Sequence, residues 1–199
     1  MKPQLCIIHG GNPFDTQADY LAALAEQTVA YDRLLYTPDW KSWLGAELSD
    51  THDVLLPSMP NKQNAQYDEW ATYFSKILPF LRPDAILVGH SLGSIFLAKY
   101  LSEHLPEQPF KKLILVAAPY NHASSESLAG FSLTDVTALS QAAESIHLFY
   151  STDDPVVPFE EMWSFQKDLP NAIAHVFDDR QHFNTLPPFT ELYEEIVNS

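Results

Sequence analysis

Short unbroken apolar runs alternate with amphipathic stretches along the whole chain. The runs are Leu5-Cys6-Ile7-Ile8, Asp53-Val54-Leu55-Leu56-Pro57, Ala85-Ile86-Leu87-Val88, Lys112-Leu113-Ile114-Leu115-Val116-Ala117-Ala118-Pro119, Ile146-His147-Leu148-Phe149-Tyr150 and Ile173-Ala174-His175-Val176-Phe177. The runs from Leu5, Ala85 and Lys112 predict buried strands, the run from Asp53 is a short extended stretch stopped by proline, and the last two are read as further strands. Between them apolar residues recur every three or four positions, the spacing of one helix face. Tyr20, Leu21, Leu24, Ala25 and Thr28 follow a possible Asp15-Thr16 cap, and Trp40, Trp43, Leu44 and Leu48 follow Pro38-Asp39. Trp70, Phe74, Ile77, Leu78 and Leu81 run up to Pro83, and Leu92, Ile95, Phe96, Leu97, Leu101 and Leu105 form the next set. Val157-Pro158 leads into a helix to Leu169, and Thr190 to Val197 forms the last.

About six strands alternating with about six helices predict an α/β fold, a three-layer sandwich with a mostly parallel sheet and helices on both faces. With no linker, repeat or low-complexity tract, residues 1–199 are expected to form one domain. Ligands of such sheets bind beyond the carboxyl ends of the strands. Candidate chemistry is therefore sought in the segments just past strand ends.

The stretch Val88-Gly89-His90-Ser91-Leu92-Gly93 changes from strand to helix within about three residues, with Ser91 at the corner. Glycines on both sides leave room for strand and helix to cross, and the serine hydroxyl projects from a strained turn. This is a G-x-S-x-G nucleophile elbow in its expected strand–turn–helix context. The helix start puts the Leu92 amide beside the hydroxyl, ready to donate to an oxyanion. A second amide is expected from the loop after the first strand, His9-Gly10-Gly11-Asn12, with Gly11 the first choice and Asn12 the second.

A serine hydroxyl needs a histidine to take its proton and an acid to orient that histidine. Asp153 and Asp154 both follow a strand beyond the elbow; Asp154 is preferred because Pro155 holds its backbone extended. Of eight histidines, His147 and His175 lie in strands, and His9 and His90 adjoin glycine turns. His52, His104 and His122 have no matching partner, and His182 sits in the loop after the last strand, where it can reach the elbow. The chain order Ser91, Asp154, His182 is that of α/β-hydrolases.

These residues identify the chain as resembling the α/β-hydrolase superfamily. More narrowly it resembles the small serine hydrolases of the retinoblastoma-binding-protein-like and YdeN-like group. The resemblance rests on His9-Gly10, Trp40-x-x-Trp43-Leu44, Leu56-Pro57…Pro60, Trp70, the elbow, Asp153-Asp154-Pro155-x-Val157-Pro158 and His182-Phe183. It implies hydrolysis of small esters, thioesters or amides through an acyl-enzyme, with Ser91, Asp154 and His182 as the triad and no metal or cofactor. Two features depart from the family pattern. Arg180-Gln181 precedes the histidine where a glycine is frequent, and an extra helix near Tyr20 to Thr28 follows the first strand. The alternative from another class is a binding module on a hydrolase fold with an idle triad.

Composition narrows the partners. The net charge of −15 repels nucleic acid and anionic membranes and favours a neutral or cationic small-molecule substrate. The single cysteine, Cys6, lies in a buried run. No signal peptide or membrane-length apolar stretch is visible, so a cytoplasmic location is expected. No metal-ligand spacing such as H-E-x-x-H occurs. The polar segment from Tyr120 to Val136 follows a strand end and is a candidate for covering or lining the site.

Overall fold

A computed structural model of the chain describes residues 1–120, 127–184 and 187–198. The elements in order are β1 (Gln4–Ile8), α1 (Gln17–Glu26), α2 (Trp40–Leu48), β2 (Asp53–Leu55), α3 (Tyr67–Ile77), β3 (Ile86–His90), α4 (Leu92–Glu103), β4 (Lys112–Val116), β5 (Ile146–Ser151), α5 (Glu161–Asp168), β6 (Ile173–Phe177) and α6 (Thr190–Val197). The six strands form one sheet in the order β2-β1-β3-β4-β5-β6, and every neighbouring pair is parallel. Each parallel pair needs a crossover; α-helices supply it except between β4 and β5, where the described part of the connection holds two short 3-10 turns, Ala129–Phe131 and Thr137–Gln141.

The sheet divides the apolar residues into two cores. One face packs Ile8, Leu87 and Leu115 against Trp70 and Phe74 of α3, Ile95 and Phe96 of α4, and Met162 and Phe165 of α5. The other packs Leu5, Val88, Ile114 and Phe149 under Trp40, Leu44 and Leu48 of α2 and Leu192 and Ile196 of α6. Strands β1, β3, β4 and β5 are buried throughout, which accounts for their continuous apolar runs. Strand β6 is an edge, and Ile173 and Val176 are exposed on it. Among the described residues no helix is long and apolar enough to cross a membrane.

Two of the predicted helical faces differ from the sequence pattern. Helix α1 forms behind Thr16, whose side chain accepts from the Asp19 amide, but no residue of it is buried. Tyr20 meets the ring of Phe14, but Leu21 and Leu24 stay exposed. Helix α4 ends at Glu103, which leaves Leu105 outside it and exposed.

Candidate active site

The elbow arises from a close approach between backbones. A β-carbon on Gly89 would lie 2.5 Å from Ser94 Cα, and one on Gly93 would lie 2.3 Å from the Ile8 carbonyl oxygen. Only glycine allows α4 to start this close to the ends of β1 and β3. Ser91 takes up the turn with φ 54° and ψ −121°, a conformation that costs a non-glycine residue on the order of 1–3 kcal/mol. Its amide donates to the Val116 carbonyl at 2.8 Å, and its carbonyl accepts from Ser94 at 2.9 Å, so the backbone around it is tied down. The hydroxyl makes no cap hydrogen bond to α4.

Three of the predicted residues meet. His182 Nε2 lies 2.8 Å from Ser91 Oγ, and His182 Nδ1 lies 2.9 and 3.1 Å from the two Asp154 carboxylate oxygens. The Asp154 carboxylate is nearly inaccessible and also accepts from the Val156 and Val157 amides at 2.8 and 3.0 Å. Two backbone donors and the imidazole leave it little freedom to turn. The alternative acid, Asp153, faces elsewhere. Its carboxylate accepts from Ser151 Oγ at 2.5 Å and the Gln181 amide at 2.8 Å, and the Ser151 bond holds its carboxyl below the usual carboxylate range. Adjacent acids thus divide the work: Asp154 contacts the histidine, and Asp153 fixes the loop before it.

The histidine loop hangs from two more bonds that the sequence did not reveal. His90 Nε2 donates to the His182 carbonyl at 2.9 Å, and Trp40 Nε1 donates to the Phe183 carbonyl at 2.8 Å. Complete burial holds His90 well below the ordinary imidazole value, so it stays neutral. Gln181 and Phe183 both take left-handed backbone, with φ 47° and 52°. The position where the resembling proteins often carry glycine is thus a glycine-favouring conformation here borne by Gln181, whose amide is held by Asp153. Elbow position and His–Gly proximity flagged His90 as a neighbour, but no spacing rule signals a histidine that acts on another's carbonyl.

The remaining serine of the elbow is structural. Ser94 Oγ donates to the Val116 carbonyl at 2.9 Å and accepts from its amide at 3.0 Å, fully buried. In the loop after β1, the Asn12 amide donates to the Lys62 carbonyl at 2.8 Å and is not free for a substrate. Gly11 lines the cavity beside Leu92, whose amide sits in the first turn of α4 and has no intrahelical acceptor. His9 Nε2 accepts from the Met59 amide at 2.9 Å while Nδ1 faces the Gly10 carbonyl, so this ring braces the loop.

A cavity of about 400 Å³ opens over Ser91 and His182. Its lining includes Pro119, Leu128, Val156 and Val157, with Asp39 and Lys41 paired at 3.3 Å and an exposed Lys62. Burial lowers the Lys41 ammonium below its usual value. Of the segment from Tyr120 to Val136, residues 121–126, with His122, lie outside the described residues. Ser127 and Leu128 line the cavity, while Phe131, Leu133 and Val136 are buried in the core.

The chain has relatives among known proteins. A rat (Rattus norvegicus) protein named serine hydrolase RBBP9 is 28% identical over 172 residues, 80% of this chain and 84% of its own. The Bacillus subtilis (strain 168) protein YdeN is 29% identical over 153 residues, 73% of this chain and 77% of its own. The crystal structure of the B. subtilis ydeN gene product shares the fold with a TM-score of 0.77 at 21% identity, over 100% of both chains. The family model for serine hydrolases matches residues 36–196, a span that holds the elbow, both aspartates and the histidine loop. The chain belongs to the serine hydrolase family.

Proposed function

We propose that this protein hydrolyses a small ester, thioester or amide through an acyl-enzyme on Ser91, with His182 as the base and Asp154 as its orienting acid. The observation that supports this reading most is the unbroken chain of contacts from Ser91 Oγ through both ring nitrogens to the Asp154 carboxylate. In the first half-reaction Ser91 Oγ attacks the substrate carbonyl while His182 Nε2 takes the hydroxyl proton. The carbonyl oxygen becomes an oxyanion held by the Leu92 and Gly11 amides. The intermediate then expels the leaving group, which takes the proton from His182. In the second half-reaction water, deprotonated by His182, attacks the acyl carbonyl and returns the serine.

The cavity suits a small acyl group. The overall charge of −15 favours neutral or cationic substrates at long range, and inside the cavity Asp39 offsets Lys41. A fluorophosphonate probe tests the reading: it labels the native protein and fails on Ser91→Ala. A folded native protein that resists the probe would overturn the reading in favour of a binding module. A series of p-nitrophenyl esters of increasing acyl length, with a few aminoacyl amides, then ranks substrates by kcat/KM.

A further inference from the structure

A second histidine–carboxylate group lies in the half of the sheet away from the strand ends that carry Ser91 and His182. His147 is the second residue of β5 and His175 the third of β6, and both face α6, whose Glu195 comes down between them. Sheet register explains the meeting: His175 pairs with Phe149, two residues along from His147 on the same face. His147 Nδ1 and His175 Nε2 stand 3.0 Å apart. Glu195 carboxylate oxygens lie 3.4 Å from the first nitrogen and 3.8 Å from the second.

These separations match a coordination polyhedron. Ligand atoms about 2.0–2.1 Å from a tetrahedral zinc ion lie roughly 3.3–3.4 Å from one another; here the two nitrogens are 3.0 Å apart, the two carboxylate contacts, one from each oxygen, are 3.4 and 3.8 Å, and one donor atom from each of the three residues lies within 4.8 Å of the others. Two imidazoles and a carboxylate are also donors that late first-row divalent ions prefer over magnesium or calcium. Outer contacts orient the set. His147 Nε2 lies 3.3 Å from Ser145 Oγ, which fits an Nε2–H ring whose Nδ1 lone pair faces His175. Lys112 Nζ binds Glu195 Oε1 and donates to the Glu195 carbonyl at 2.9 Å, leaving Oε2 on the His175 side. The lysine opposes a cation electrostatically while fixing the carboxylate that would hold it.

We infer that His147, His175 and Glu195 bind a divalent late first-row metal ion, zinc foremost, which clamps α6 to strands β5 and β6. Without the ion, one ring donates a hydrogen bond to the other across the 3.0 Å gap. On binding, that ring carries its proton on its other nitrogen, so no net proton is released. The fourth position is left to water. Because α6 follows the loop that carries His182, the ion would stiffen the support of the site and take no part in its chemistry.

The test uses the whole chain, stripped with EDTA and dialysed. Zinc chloride is expected to raise Tm where magnesium chloride does not, and cobalt(II) to give visible d–d bands of tetrahedral intensity. His175→Ala and Glu195→Gln should each weaken zinc binding at least tenfold, whereas His104→Ala should not change it. Native protein that shows neither the zinc-dependent Tm rise nor the cobalt bands overturns the inference. So does a Tm rise that survives both ligand substitutions, because the zinc then binds elsewhere. The first of these readouts needs no variant, so a substitution that fails to fold leaves the inference exposed to refutation.

Discussion

Two places in this molecule set an imidazole against a carboxylate, and they are built for different ends. At the carboxyl ends of the strands His182 stands between Asp154 and the hydroxyl of Ser91, under an open cavity. Nearer the other end of β5, His147 faces a second imidazole and a carboxylate already held by Lys112, roofed by α6. Residue types are nearly the same. What differs is the third partner and its setting: a hydroxyl on a strained turn faces an open cavity, whereas a ring and a lysine already engaged with Glu195 lie beneath α6. Chemistry here follows from where the sheet's polarity places a group, more than from which side chains it contains.

The sharpest way to break the comparison is to remove the hydroxyl or the ring at the strand ends. Ser91→Ala and His182→Ala should each lower kcat/KM by ~10⁴ or more, and a loss under tenfold in either would remove that residue from the triad. Chelation is the matched perturbation of the other place: EDTA should leave the rate of fluorophosphonate labelling unchanged, and strong inhibition would put a metal in the reaction.

The adjacent aspartates sharpen the contrast further. Asp154→Ala should cost less than loss of the serine, on the order of 10³ in kcat, and Asp153→Ala less than about tenfold, since it touches the loop through the Gln181 amide and Ser151 and not the ring of His182. Equal losses in the two variants would contradict the division of labour drawn from their contacts.

Acid should strain both places through stability. Burial lowers the imidazole values of His9, His52, His90, His147 and His175, with His147 down to about 4. Below the unfolded value of about 6.5 the unfolded chain therefore binds more protons than the folded one. Stability of metal-free protein is full above that pH and falls as pH drops toward 4. Urea midpoints at pH 8 and pH 5 measure it, and equal midpoints would refute it. The smallest effect concerns Gln181, held at φ 47°. Gln181→Gly should raise stability by about 0.5 kcal/mol, the relief of left-handed strain less the entropy glycine brings. Thermal unfolding reads its sign.

Much of this arrangement is written locally and so was legible. The elbow declares itself through Gly89, Ser91 and Gly93 between a strand and a helix, and Pro155 singles out Asp154 from its neighbour. The six strands could be read because four of them are buried on both faces and admit almost only apolar residues. Helix α1 misled in a definite way: its apolar spacing is real, but spacing cannot say how far a face is covered, and Leu21 and Leu24 remain exposed. The bonds from Trp40 and His90 to the histidine loop were invisible because they end on carbonyls, which carry no residue identity. The same distance in sequence hides the grouping of His147, His175 and Glu195, since strand order and register bring it together and no local motif does.

The bond from Trp40 to the Phe183 carbonyl spans 143 positions. The tryptophan is made early and the loop it supports late, so Ser91 can meet the ring of His182 only after the 91 positions that separate them have been joined.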